Sequence, residues 1–532
     1  MTITQNDVAS SQSSRRLDRA AWLLLFVLTA GRLWFAATHD LLQDEAYYWQ
    51  WSRHLDWGYY DNTPLAAPLI HFFTSIFGDT SLGVRAGAVF CALTASIFIY
   101  LLGKRLFGPR VGFVALLLAN FIPLFGAGAI IMTMDPPQLA IWSMALYVIW
   151  SAVKSEGGKG TALWLFAGVL AGLAAMAKVY ALLLLPCILV FLAVSPDDRH
   201  WLRRWQPYGA AVIALAVFAP FLWWAHTHGN AFWMHVGVMG ARGGDEHDKP
   251  LKYFWRDLGA QALLLSPIFY LTYIYSLFTE VKRGLREKDS ALLFAWAPSA
   301  TVTGAVMLLS MRTKVEGNWA AAAYVSGAIL LAVVLVRMWD SGTRSKRVWV
   351  MTGAVLATFL TIVFYAPQLF YPSFGRASFS SEKTERAVMK LDRPNEAYGW
   401  MALGSRVQVE ISGMGTNPFV FGTNYKIPSE AAFYLPGRPQ TYSLFLNDRA
   451  NEYMFWEDQS KLVGRDAIYI NDSDNVQDHL DDIKAVFTRV EPQAPLVIRR
   501  DPPYGHVPIR TIQIVRCYGF KGYDVSKWQH GW

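Results

Sequence analysis

Eleven apolar runs, each long enough to cross a bilayer, constrain this chain more than any other feature. They lie near residues 20–37, 82–103, 110–128, 136–153, 161–177, 179–195, 207–225, 258–279, 291–310, 318–337 and 347–366. About 20 apolar residues carry a helix across a hydrocarbon core. Lipid offers no partners for backbone N–H and C=O groups, so such runs close their hydrogen bonds internally as helices. Composition agrees: of 532 residues, 53% are hydrophobic and only 17% charged. That balance excludes an ordinary soluble enzyme. A polytopic α-helical membrane protein with about 11–13 transmembrane helices is expected.

The basic residues set the expected topology. Alternate connections carry Arg15, Arg16 and Arg19; Lys104, Arg105 and Arg110; Lys154 and Lys159; Arg199, Arg203 and Arg204; Lys282, Arg283, Arg286 and Lys288; and Arg344, Lys346 and Arg347. By the positive-inside rule these face the cytoplasm, which puts the N-terminus inside and the C-terminus outside. The first run follows a polar tail with no small-residue cleavage site, so it reads as an uncleaved anchor. The formal charge of +8 is accounted for by these connections, and no nucleic-acid partner is inferred from it. Three cysteines, two of them inside apolar runs, suggest neither a disulfide framework nor a thiolate metal site.

Past residue 366 the chain becomes polar. Short apolar runs at 418–421, 467–470 and 509–515 alternate with helix-like segments at 429–434 and 476–486. That alternation predicts a C-terminal periplasmic α/β domain over 367–532, following a transmembrane domain over 1–366 whose first outer loop is 38–81. The acidic residues Asp472, Asp474, Asp478, Asp481 and Asp482 read as a solvated helix face. Gly413 and Gly415 lack the third glycine of a dinucleotide fingerprint.

One parity of topology brings scattered polar residues to the outer boundary. Asp44, Glu45 and Asp61 lie in the first outer loop, among seven aromatics within residues 41–64. Asp135 opens the run after the third span, and Lys178 sits at a turn between two spans. His226, His228 and Arg242 follow the seventh span; Arg312, Lys314, Asn318 and Trp319 fill a later outer turn. Ionisable groups at the hydrocarbon edge are costly and mark functional sites. Each also has a plainer reading. Asp44-Glu45 can cap an interfacial helix, its aromatics including Tyr47 and Tyr48 can form a belt, Asp135 before Pro136-Pro137 can cap a helix, and Lys178 can snorkel. His226 and His228 leave a divalent metal as an open alternative, although their spacing of two does not put both rings on one helix face. No other cofactor is expected.

The segments DEAYYWQWSRHLDWGYYDNTP, TMDPPQLAIWSMALY and GLAAMAKVYALLLL resemble the motifs of GT-C membrane glycosyltransferases. The branch is that of lipid A aminoarabinose transferases and dodecaprenyl-phosphate galacturonosyltransferases, related to protein O-mannosyltransferases. The likeness continues through APFLWWAHTHG, QALLLSPIFY, KVEGNWAAAAY and NYKIPSEAAFYLPGRPQTYSLFLNDRANEYMFW. It implies many membrane helices, interfacial helices in the first outer loop and an outer α/β domain, in a bacterial inner membrane. It also implies inverting transfer of a sugar from a polyprenyl-phosphate donor to a lipid-linked or lipopolysaccharide acceptor. Asp44 matches the family's first-loop acidic residue and Asp135 its second aspartate.

Such a transfer needs a base for the acceptor's proton and cations for the departing phosphate. Asp44 is the expected base, with Glu45 behind it and Asp135 orienting the acceptor or sharing the role. Lys178, Arg242 and Lys314, then Arg312, are the expected phosphate ligands. Tyr47, Tyr48, Asp61, Asn318 and Trp319 are expected to bind substrate. Many relatives carry a basic residue or histidine where this chain has Asp61-Asn62-Thr63, which shifts phosphate binding toward Lys178 or Arg242. The rival readings are a lipid flippase or transporter, and the same fold acting on protein or on a polymer.

Overall fold

The computed structural model describes residues 5–241, 251–370, 393–446, 450–456, 459–473, 475, 477, 479–499 and 508–522. The chain divides into two compact units. One comprises residues 1–36, 62–69 and 85–363; the other comprises 37–61, 70–84 and 364–532.

The first unit is helical. Among the described residues, seven helices are long and apolar enough to cross a membrane: Ser14–Thr38, Ser81–Phe107, Gly157–Ala177, Gln206–Thr227, Ser290–Ser310, Ala323–Asp340 and Arg344–Tyr365. An eighth span is reached if the bent pair Lys252–Leu265 and Pro267–Glu287 counts as one. The remaining runs form the Asp135–Val153 helix and shorter apolar helices such as Pro109–Phe121 and Val179–Val194.

Local chemistry explains where expected spans break. The run at 258–279 is not straight; its two helices meet at 110°. Pro267 has no N–H to donate and disfavours helical geometry in the residue before it. Ser266 leaves helical geometry, at φ 76° and ψ 138°, and its hydroxyl accepts the Phe269 N–H. The run at 110–128 stops at Phe121, because Ile122 is extended ahead of Pro123. The run at 318–337 turns helical only from Ala323, after a short 3-10 turn at Gly317–Ala320.

Small residues set the helix spacing. Gly168 and Gly172, four apart on the Gly157–Ala177 helix, lie against the Gln206–Thr227 helix. A Cβ on Gly168 would fall 2.4 Å from the Ala210 carbonyl oxygen. Close backbone approach of this kind holds membrane helices together where lipid removes the hydrophobic drive. Ion pairs link the basic connections to one another: Lys104 with Asp18 at 2.6 Å, Arg110 with Asp340 at 2.7 Å, and Lys154 with Asp198 at 2.8 Å.

The second unit carries the α/β region. Its strands are β1 (Phe419–Gly422), β2 (Thr441–Ser443), β3 (Ala467–Asp472), β4 (Phe487–Pro492), β5 (Leu496–Ile498) and β6 (Arg510–Phe520). They order as β2-β1-β3-β6-β4, with β5 also on β6. β1 pairs in parallel with β2 and β3, whereas β6 is antiparallel to its neighbours. The Lys426–Tyr434 helix supplies the crossover between β1 and β2, as parallel strands require. Alternation of side chains sends Phe421, Tyr469 and Phe487 into one core and Val420, Ile468 and Ile514, with Trp400, into the other. Three runs picked out by composition, at 418–421, 467–470 and 509–515, supply β1, β3 and β6.

Candidate functional site

In the helical unit, Asp135 is the first residue of the Asp135–Val153 helix, and Pro136 and Pro137 fill positions where a missing N–H costs nothing. Its carboxylate makes no capping bond to that helix. One oxygen instead accepts from Lys178 Nζ at 2.6 Å and the other from Asn318 Nδ2 at 2.6 Å. The Lys178 and Asp135 side chains are only 11% and 13% exposed, so this lysine does not snorkel. Lys178 stands at the junction where the Gly157–Ala177 helix gives way to the 3-10 turn Val179–Leu183. Its ammonium lies 5.9 Å from the Tyr180 ring centre, and Tyr180 packs on Trp319 at 4.9 Å. Three distant turns thus meet at one largely covered carboxylate.

The flanking cations behave differently. Lys314 pairs with Glu316 at 2.9 Å with both side chains 53% exposed, and Arg312 is exposed. Arg242 lies outside the described residues. His228 points its Nδ1 at the Trp224 carbonyl, 2.9 Å away, and stacks on the Trp224 ring. His226 sits in the last turn of its helix, 6.3 Å from the Trp223 ring. Among the described residues no group of three or more His, Cys, Asp or Glu is arranged to hold a metal ion.

The second unit sorts the first-loop carboxylates. The helix Gln43–Arg53 begins with Glu45 buried and its Oε2 accepting the Leu42 N–H at 2.9 Å. That is the reciprocal half of a capping box. Asp44 stays exposed and takes a 3.1 Å bond from the Tyr425 hydroxyl. Although its surface is open, protein crowds it on enough sides to lift its carboxyl above the usual carboxylate range. Lys426 and the Tyr425 hydroxyl oppose that rise, while Asp61 and Glu396 add to it.

Behind Asp44 the aromatics form an ordered stack. Tyr47 is buried, and its ring lies 4.2 Å from that of Tyr425. Its hydroxyl donates to Asp61 at 2.7 Å and accepts the Glu452 N–H at 2.7 Å. Burial, then the charges of Asp61 and Glu452, hold this phenol well above its ordinary value, so it remains a donor. Tyr48 packs on Trp51 at 4.7 Å, and Trp51 stacks on Tyr59 at 4.3 Å. The Glu452 carboxyl accepts the Tyr60 N–H and is buried. Burial lifts it well above the carboxylate range, the Tyr60 bond opposing and Asp61 and Asp56 adding. Tyr425, Lys426 and Glu452 were not singled out in the sequence, although all three fall in the segment NYKIPSEAAFYLPGRPQTYSLFLNDRANEYMFW.

The chain is similar to known glycosyltransferases. The family described as dolichyl-phosphate-mannose-protein mannosyltransferase matches residues 61–224. The chain is 27% identical to the lipid A galacturonosyltransferase RgtD of Rhizobium johnstonii over 374 residues, which is 66% of this chain and 74% of that protein. It is 25% identical over 305 residues to the undecaprenyl phosphate-alpha-4-amino-4-deoxy-L-arabinose arabinosyl transferase 2 of Pseudomonas fluorescens, 52% of this chain and half (50%) of that protein. The crystal structure of ArnT from Cupriavidus metallidurans bound to undecaprenyl phosphate shares the fold, with a TM-score of 0.62 at 16% identity over 92% of this chain and 97% of the other. The apo form of ArnT gives a TM-score of 0.60 at 16% identity, covering 93% of this chain and 98% of that one. With its apolar helices, its first-loop carboxylates and these likenesses, the chain is a membrane glycosyltransferase with the GT-C fold.

Proposed function

We propose that this enzyme moves one monosaccharide from a polyprenyl-phosphate donor to lipid A or the lipopolysaccharide core, at the periplasmic face of a bacterial inner membrane. The observation that carries the reading is the partly buried Asp135–Lys178–Asn318 cluster, on a chain whose relatives are named for lipid A galacturonosyl transfer and for undecaprenyl-phosphate aminoarabinose. In this reading the N-terminus is cytoplasmic, and the domain over 367–532 is periplasmic.

The chemistry follows from the residues. An acceptor hydroxyl oxygen attacks the anomeric carbon from the face opposite the phosphate. A new C–O bond forms as the bond from that carbon to the phosphate oxygen breaks, so configuration inverts. The electron pair leaves on the lipid phosphate, and the acceptor's proton passes to Asp44, whose pKa is held above the usual carboxylate range, which strengthens it as a base. Lys178 retains ammonium protons beyond the one engaged by Asp135 and stabilises the charge that grows on the phosphate. Asp135 and Asn318 fix that ammonium in place, while Lys314 and Arg312 add positive charge at the headgroup level. Glu45 holds the start of the helix that carries Asp44. Tyr48 and Asp61 shape the substrate surface beside Asp44, with Tyr47 buried behind them.

Mass spectrometry of lipid A, from a host strain with and without the chain, tests the function. The expected result is a mass increment of one sugar that disappears with Asp44→Asn. An unmodified lipid A alongside a newly glycosylated envelope protein would move the acceptor to protein. Lipid translocation without any sugar transfer would replace the enzyme with a flippase.

A further inference from the structure

The helix ends remote from Asp135 border a second concave site. A groove of about 820 Å³ lies between the helices Pro267–Glu287, Ala323–Asp340 and Arg344–Tyr365. Arg337 and Met338, on its wall, belong to the last turn of the Ala323–Asp340 helix, whereas Asn318 precedes that helix's first residue. At 1.5 Å per residue, the helix rises about 21 Å between Ala323 and Arg337. Whatever occupies this groove does not occupy the Asp135 cluster.

The groove's lining is divided by chemistry. Five cations and a single carboxylate face it. The carboxylate, Glu280, is buried and engages Arg337 at 2.6 Å and Arg283 at 3.7 Å, which fixes both guanidinium groups on the wall. Lys282 and Lys346 are exposed and have no carboxylate partner among the described residues. Arg286 is 77% exposed beside Glu287. Further along the same two helices the lining is apolar and open: Leu271 is 59%, Tyr275 62% and Trp349 39% exposed. Trp349 is pinned there, because its indole N–H donates to Thr272 Oγ1 at 2.9 Å.

Orientation signals alone would scatter cations over loops. They would not set unpaired ammonium groups above a fixed apolar wall at the end of membrane helices. That combination matches a molecule with an anionic head and an apolar tail, and basic pockets between membrane helices bind such headgroups. We propose that this groove binds one anionic phospholipid, its phosphate on Lys282, Arg286 and Lys346 and its acyl chain along Leu271, Tyr275 and Trp349.

Native mass spectrometry of the full chain in detergent, with phosphatidylglycerol and phosphatidylcholine at equal concentration, tests this. Wild type is expected to retain one phosphatidylglycerol in preference to phosphatidylcholine. Lys282→Ala/Arg286→Ala/Lys346→Ala should lower that occupancy about tenfold or more, each cation contributing to headgroup attraction. A variant with the same charge change elsewhere, Lys159→Ala/Arg203→Ala/Arg204→Ala, should keep the lipid, as should Lys282→Arg/Lys346→Arg. If the triple groove variant does not fold, Lys282→Glu alone at an exposed position gives the same reading. Equal loss in the groove and control variants, or equal retention of phosphatidylcholine, would overturn the proposal. So would displacement by millimolar inorganic phosphate, which would make this a free-phosphate site.

Discussion

The Asp135 carboxylate and the Lys178 ammonium meet at 2.6 Å, largely out of solvent, joining the start of one apolar helix to the end of another. Removing one partner of a buried pair leaves the other charged and unpaired, at a cost of about 3–5 kcal/mol. Lys178→Ala is therefore expected to lower the thermal midpoint in detergent markedly. The double variant Asp135→Ala/Lys178→Ala should cost clearly less than the sum of the two single changes. Lys178→Arg should keep part of the transfer activity that Lys178→Ala abolishes, since the charge survives with altered geometry.

The acid limb of the pH–rate profile should report Asp44. A base works only when deprotonated, so activity falls as pH drops through its folded-state pKa, which crowding holds above the usual carboxylate value. Tyr425→Phe and Lys426→Ala each remove an influence that lowers this pKa and should move the limb to higher pH. Asp61→Asn removes one that raises it and should move the limb to lower pH.

Glu452 predicts a pH dependence of stability. Burial holds its folded-state pKa well above that of an ordinary glutamate, so the folded chain holds this proton to higher pH than the unfolded chain does. The resulting stabilisation is fully present below the unfolded value and is lost as pH rises toward and through the folded one. Glu452→Gln keeps an acceptor for the Tyr60 N–H and carries no charge. Thermal midpoints measured across pH should decline less steeply with rising pH for this variant than for wild type.

Helix spacing at Gly168 gives a packing test. A side chain there meets the Ala210 backbone, whereas Gly158 on the same helix has open space around it. Gly168→Leu should destabilise by about 1–3 kcal/mol or more, as overpacking does. Gly158→Leu should leave the detergent-solubilised midpoint close to wild type.

Much of the fold was legible because lipid permits few alternatives for a long apolar run. The seven long helices and strands β1, β3 and β6 follow runs visible in composition. Breaks were harder to read. Apolarity is continuous across 258–279, and only the Ser266-Pro267 step, with its missing donor, turns that run through 110°. Topology grouped Asp135, Lys178 and Asn318 on one face, but only coordinates pair them. Pro136-Pro137 suggested a cap, and the carboxylate bonds elsewhere. Asp44 and Glu45, adjacent in sequence, separate in role because one helical step turns Glu45 inward to Leu42 and leaves Asp44 exposed. Tyr425 and Glu452 escaped notice because their partners Asp44, Tyr47 and Tyr60 lie far away in sequence, and no local pattern encodes such contacts.

Sugar transfer by the purified chain in lipid vesicles tests the account most directly. Wild type and Asp44→Asn would be given a labelled polyprenyl-phosphate sugar and lipid A, with donor binding measured in parallel. The predicted result is labelled lipid A with wild type, and a rate lower by about 100-fold or more with Asp44→Asn while donor binding is retained. Transfer by Asp44→Asn at the wild-type rate would contradict the assignment of Asp44 as the base.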